Sequence, residues 1–301
     1  MIAKKHIQSD LLLLLCGIIW GFAFVAQRIG MDHVGPFTFN GVRFALGAAV
    51  LVPFIYRNRN RQKKNVIRTK GLIGYGGLAG LAIFAGASLQ QVGLVYTTAG
   101  KAGFITGLYV VIVPILGLVL GQRTNAGTWA GACLAAVGMY LLSIREGFSI
   151  SFGDLLELIG AFLWAGHILL IGWISPKTDS LPLAFVQFMV CSLASLVTAA
   201  AVETVSLAGL AAAALPILYG GALSVGVAYT LQVVAQSHSH PAHAAILLSL
   251  ESVFAAVGGW LILGEMMSPR GLVGCLLMLA GMLLSQLYGL VITKKPELTA
   301  L

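Results

Sequence analysis

Long runs without Asp, Glu, Lys or Arg dominate the chain. They cover 71–100, 102–122, 124–144, 158–176, 180–202, 204–250 and 271–293, with shorter clean runs at 11–27, 44–56 and 252–264. A helix crossing roughly 30 Å of hydrocarbon needs about 20 mostly apolar residues, and most of the runs have that length. The run 204–250 is too long for one crossing and is split by a polar segment from Ser237 to His243. Allowing single polar residues inside a crossing, the pattern predicts ten helices: 10–30, 36–56, 71–92, 102–121, 125–144, 154–174, 181–202, 211–236, 241–263 and 270–292. A membrane barrel would instead show alternating strands of about 10 residues. The first crossing follows Lys4 and Lys5 and contains Leu13-Leu14-Leu15-Cys16. That resembles a secretory or lipoprotein leader, but Leu15 is too large for such processing and the apolar run continues to Val25, so it reads as an uncleaved span.

Composition narrows the class. Of 301 residues, 58% are hydrophobic and only 9% are charged, against about 25% charged in a soluble domain. Disorder and an ordinary cytosolic enzyme are both excluded by that deficit. The net charge of +8 is a topology signal. With the N terminus inside, the inner segments hold 13 Lys and Arg and the outer ones 4, seven of the 13 in the loop 57–70. The bias predicts a multi-pass protein of a bacterial inner membrane with both termini cytoplasmic, and nucleic acid is not an expected partner. The four cysteines, Cys16, Cys133, Cys191 and Cys275, all fall in predicted spans without paired spacing. They read as small buried apolar residues.

The chain repeats itself. Asp10 precedes Trp20 as Asp154 precedes Trp164; Tyr75-Gly76-Gly77 matches Tyr219-Gly220-Gly221; Leu89-Gln90 matches Leu231-Gln232; Gly121 matches Gly264; Gly138-Met139 matches Gly281-Met282. The offset stays between 142 and 144 across five spans. An odd number of spans per copy forces the second copy into the membrane upside down. The prediction is an all-α integral membrane protein of two five-helix inverted repeats, 1–146 and 147–301. Inverted repeats are a common architecture of secondary transporters, with the site near the midplane at the repeat interface.

These residues resemble the EamA-like branch of the drug/metabolite transporter superfamily. The matching text is Trp20-Gly21, Arg43-Phe44, Ala102-Gly103-Phe104-Ile105-Thr106 leading to Pro114, Ala244 to Glu251, and Gly259-Trp260-Leu261-Ile262-Leu263-Gly264-Glu265. The resemblance covers about 10–292. One departure is Ser252, where the family often has Pro after the span 9 Glu. The resemblance implies a basket of ten helices with a central cavity lined by spans 1, 3, 4, 6, 8 and 9, and export or exchange of small organic metabolites. It does not name the substrate.

Intramembrane ionisable residues are costly and face a cavity or a partner. Glu251, about ten residues into span 9, suits a proton carrier, a substrate ammonium ligand or a structural hydrogen bond. Arg43, the cation well inside a span, reads as a gating or structural group on a span that the family picture puts at the periphery. Trp20, Trp164, Phe84, Ser88, Tyr109, His167 and Tyr229 are candidate cavity residues. Gln91 shares a face with Phe84 and Ser88, and Gln232 and Gln236 give span 8 polarity. Tyr109 aligns with Glu251 at the repeat offset. Lys101, at the start of span 4, either snorkels or binds an anion. Gly131 and Gly138, matched by Gly274 and Gly281, predict a close helix contact between halves or between subunits of a homo-oligomer.

Rival functions are weaker. His238, His240 and His243 could serve a metal-cation transporter, but no Asp, Glu or Cys lies near them in sequence. An intramembrane enzyme lacks its signatures: Ser224 has no glycine elbow, and there is no HExxH or intramembrane Asp pair. No phosphate-binding GxxxxGK[ST] loop occurs, and no cofactor is expected. The reading is a secondary transporter, an exporter of small metabolites such as amino acids, with the lipid bilayer and a small-molecule substrate as partners.

Overall fold

A computed structural model describes residues 2–58, 69–122, 124–143, 151–266 and 268–292. These residues form ten helical rods. Spans 1–3 are Ile2–Gly30, Pro36–Asn58 and Thr69–Tyr96. Span 4 is Ala99–Gly107 followed by Tyr109–Val119, and span 5 is Ala126–Ser143. Spans 6 and 7 are Phe152–Ile174 and Ser180–Val202. Span 8 joins Ala214–Leu218, a π-helical stretch Tyr219–Tyr229, and Thr230–Gln236. Span 9 is Pro241–Leu248 followed by Glu251–Leu263, and span 10 is Pro269–Ile292. Eight helices are long and apolar enough to cross a membrane, and spans 5 and 10 contribute shorter apolar stretches, Ala126–Gly138 and Pro269–Ser285. The basic residues Arg59, Arg61, Lys63, Lys64, Arg68, Arg123, Arg145, Lys294 and Lys295, used above for orientation, lie outside the described residues.

Helix ends follow local chemistry. Ser151 and Asp154 form a reciprocal capping box at the start of span 6, which satisfies two otherwise orphaned N–H groups. Gly264 ends span 9 in the left-handed region at φ 67°, a conformation that costs a glycine little. Large apolar side chains such as Leu118, Phe162, Val197, Leu261 and Leu276 stay exposed on the rods, as expected of surfaces turned to lipid.

Each half packs chiefly against the other. Three equivalent pairs, spans 2 and 7, 4 and 9, and 5 and 10, lie against each other and antiparallel. Spans 5 and 10 meet through glycines: a Cβ on Gly131 would stand 2.6 Å from the Gly281 carbonyl oxygen, and one on Gly138 would stand 2.5 Å from that of Gly274. Spans 2 and 7 are tied by Ser192 Oγ donating to the Gly41 carbonyl at 2.8 Å. At the end of this pair, Glu203 accepts the Phe37 and Thr38 N–H groups at 2.8 Å each. Spans 4 and 9 repeat the device. Ser252 Oγ donates to the Gly103 carbonyl at 2.6 Å, and Glu265 accepts the Ala99 and Gly100 N–H groups at 3.0 and 3.1 Å. Both carboxylates sit on helix N termini, where the partial positive charge favours them. Span 1 lies along spans 8 and 9, and span 3 along spans 6 and 7.

The structure departs from the sequence expectation at five places. Spans 4 and 9 are broken rather than continuous, and span 8 is partly π-helical. A separate short helix, Leu207–Ala212, precedes span 8, whereas the pattern placed the start of that span at 211. Cys133 is exposed on its rod, while Cys16, Cys191 and Cys275 are buried and all four are free.

Candidate functional site

The two breaks are the same break. Span 4 is interrupted at Leu108 and span 9 at 249–250, positions related by the repeat offset. Each tightens through bonds three residues back: Leu108 N–H to Ile105 and Val111 N–H to Leu108, then Leu250 N–H to Leu247 and Val253 N–H to Leu250. Tyr109 and Glu251 are the first residues after the breaks. Ser252, standing where a Pro was expected, does not straighten span 9; its hydroxyl is occupied with the Gly103 carbonyl.

Around these breaks lies a cavity of about 460 Å³, its open mouth included. Its walls come from spans 1, 3, 4, 6, 8 and 9, as the resemblance implies, and from span 2 as well. Tyr229 is the centre of the aromatic wall. Its ring lies 4.6 Å from that of Trp20, 6.2 Å from Trp164 and 6.3 Å from His167. Span 1 is held to the π stretch by Trp20 Nε1 donating to the Ser224 carbonyl at 3.2 Å and Tyr229's neighbour in sequence, Ala228, accepting from Cys16 Sγ at 3.1 Å. π segments recur at functional sites.

Two ionisable groups share this cavity. Glu251 is 4% exposed, and the Tyr109 hydroxyl lies beside its carboxylate. Arg43 is 2% exposed, so it does not snorkel. Its Nε donates to Asn40 Oδ1 at 3.0 Å, Asn40 in turn donates to the Ala87 carbonyl at 3.0 Å, and the guanidinium carbon stands 5.2 Å over the Phe44 ring. The peripheral place expected for this residue is therefore corrected: Arg43 is held inward and lines the cavity. Tyr229 is within electrostatic reach of both Arg43 and Glu251.

Sequence reasoning missed Glu157. It is fully buried in span 6 and takes a hydrogen bond from Thr106 Oγ1 at 3.1 Å, while Gln90 Nε2 donates to the same hydroxyl at 3.2 Å. Thr106 and Gln90 also line the cavity. The available signal was an acidic residue inside the hydrophobic run DLLELIG. Of the candidates named above, Trp20, Tyr109, Trp164, His167, Tyr229, Glu251 and Arg43 meet at the cavity. Phe84 packs partly buried against the core, and Ser88 Oγ is buried without a partner; neither is among the lining residues. His167 Nε2 also pairs with Gln187 Oε1 at 3.2 Å.

Two further pairs lie at opposite ends of the bundle. Lys101 binds Asp154 at the start of span 6, and His243 Nε2 meets Asp10 Oδ1 at 3.0 Å at the start of span 1. Asp10 is equivalent to Asp154 by the repeat, and Lys101 to His243, so each pair is the inverted image of the other. The three histidines that could have formed a metal site go separate ways: His238 meets Ser237 Oγ, His240 accepts the Ala242 N–H, and His243 takes Asp10. Among the described residues no three His, Cys, Asp or Glu side chains converge as a metal site.

Antiparallel halves enclosing a central cavity with two broken helices define a helical membrane transporter built on an inverted repeat. The chain belongs to the EamA-like transporter family, whose model matches residues 7–144 and 151–287. It is 34% identical over 284 residues to a protein of Archaeoglobus fulgidus named "Uncharacterized transporter", covering 94% of this chain and 87% of that one. It is 28% identical over 163 residues to a "Probable amino-acid metabolite efflux pump" of Escherichia coli, covering 52% of this chain and 51% of the relative. A crystal structure superposes with a TM-score of 0.75 at 18% identity, covering 94% of this chain and 98% of the other, a likeness of fold.

Proposed function

We propose that the protein exports small organic metabolites of the amino-acid class across a bacterial cytoplasmic membrane, by alternating access of one central cavity. The two halves that rock are residues 1–146 and 147–301, with both termini in the cytoplasm. The observation that carries this reading is the cavity itself: one mixed aromatic and polar space, closed by both halves, with Tyr109 and Glu251 at symmetry-related breaks. Such an enclosure suits an amphipathic organic molecule with few polar anchors. Lys101 with Asp154 latches the outer end, and His243 with Asp10 latches the inner end. Opening one while the other stays shut would expose the cavity to each side in turn. Glu251 is the residue that couples substrate or proton to this exchange. The efflux pump of Escherichia coli supports the amino-acid class over half of the chain.

The test is efflux from proteoliposomes preloaded with the twenty amino acids and a pool of organic metabolites, with and without a pH gradient. Depletion of a few amino acids by wild type is expected, with Glu251→Gln abolishing the flux or its response to the gradient while the protein still inserts. Retention of every amino acid by folded protein overturns the substrate class. Normal, equally gradient-sensitive flux in Glu251→Gln removes that residue from the mechanism.

A further inference from the structure

The cavity holds more than one unmatched polar group, and the groups have opposite signs. Arg43 is buried, and Asn40 takes only its Nε. The ion pairs among the described residues leave Arg43 and Glu251 out. Trp164 Nε1 is buried without a partner, whereas its repeat equivalent Trp20 is bound to Ser224. On the acceptor side, Gln27 Oε1 and Gln232 Oε1 are likewise unmatched. The Gln27 assignment is secure chemically, because its Nε2 is committed to the Ala23 carbonyl at 3.1 Å. All five residues line the same cavity.

A buried charge without a counter-charge is expensive, and a partly satisfied site is worse than an apolar one. Charge balance then selects the ligand. An organic cation would answer Glu251 and leave Arg43 bare; a phosphate or simple carboxylate would answer Arg43 and crowd Glu251. A zwitterion answers both. A guanidinium offers a fork matched to a carboxylate, and the Arg43 fork is steadied from behind by the Asn40 bond and the Phe44 ring. The aromatic wall, with the Trp20 and Trp164 rings 4.6 and 6.2 Å from that of Tyr229, is chemically matched to an apolar side chain.

We propose that Arg43 and Glu251 form the two poles of a zwitterion site, Arg43 with the Trp164 indole N–H taking an α-carboxylate and Glu251 taking the α-ammonium of an amino acid with a large apolar side chain. This rests on the amino-acid reading of the same cavity and assigns Arg43 a binding role rather than a gating one.

The experiment is competition against efflux of radiolabelled L-phenylalanine and L-leucine from proteoliposomes of the full chain. The competitors are L-phenylalanine, phenethylamine, which lacks the carboxylate, and N-acetyl-L-phenylalanine, which lacks the ammonium. In wild type each truncated analogue is expected to compete about 10- to 100-fold more weakly than L-phenylalanine, the range for a lost charged hydrogen bond. In Arg43→Gln the advantage of L-phenylalanine over phenethylamine disappears, Arg43→Lys keeps part of it, and the penalty on the N-acetyl derivative stays. A merely structural arginine would lower every affinity together. Folded Arg43→Gln with the wild-type preference overturns the proposal. If Arg43→Gln does not fold, equal competition by L-phenylalanine and phenethylamine in wild type overturns it instead. Wild type that carries neither labelled probe also overturns it, while depletion of other amino acids from the mixed pool would leave the broader reading standing.

Discussion

Glu157 shows what a single side chain can hide. Thr106 is the bridge on which it depends, donating to Glu157 and accepting from Gln90. Thr106→Val keeps the shape and removes both bonds, leaving two buried polar groups without a partner. The expected cost is about 1–3 kcal/mol, read as a lower thermal unfolding temperature in detergent; an unchanged temperature would mean that the network is not holding spans 3, 4 and 6 together. At this scale the sequence was informative where the repeat supplied a second copy. Tyr109 and Glu251 were matched by offset, and the structure brings them side by side. Glu157 had no such help, since its equivalent at offset 144 is Leu13. Arg43 was visible as a cation inside a span, but its inward aim depends on Asn40 being anchored to the Ala87 carbonyl of span 3. That is a tertiary contact with no trace in the local pattern.

At the scale of helices, hydrophobic run length located all ten rods, because the need for an apolar crossing overrides most local preferences. Their interiors were less legible. The breaks at Leu108 and 249–250 fall on leucine and serine, with no Gly or Pro at the break itself. Pro114 is six residues beyond the first break, inside the second half of span 4. The π stretch in span 8 is rich in glycine, at Gly220, Gly221 and Gly226, which hints at irregularity without specifying its kind. The glycine seam was legible as a close approach of small residues at matched positions in spans 5 and 10, and the carbonyl distances place that approach between the halves. Gly131→Val is therefore expected to force these helices apart at a cost of about 1–3 kcal/mol, the usual range for overpacking. Thermal unfolding of the purified variant checks it. The same substitution at Gly74, where an added Cβ would meet nothing within 4 Å, serves as the control and should be silent.

For the whole molecule, the two inverted side-chain pairs give opposite expectations for opposite mutations. Lys101→Ala should favour a cavity open at the Asp154 end, and Asp10→Asn a cavity open at the His243 end. A cysteine placed at Ser224 in the cavity wall, with the four native cysteines replaced by Ala, reports the difference through an impermeant maleimide added from one side or the other. Labelling that shifts the same way in both variants would remove these pairs from any gating role. The architecture also bears on how the chain is made. A five-span half is a repeat without being a packing unit, because nearly every helix finds its main neighbour in the other half. In order of synthesis, the glycine seam of span 5 therefore stays uncovered until span 10 has been made. At about 5–20 residues per second, the roughly 150 residues between Gly131 and Gly281 make that wait about 8–30 s. During that time quality control could take the nascent chain for a failed one, and the final helix is what ends its exposure.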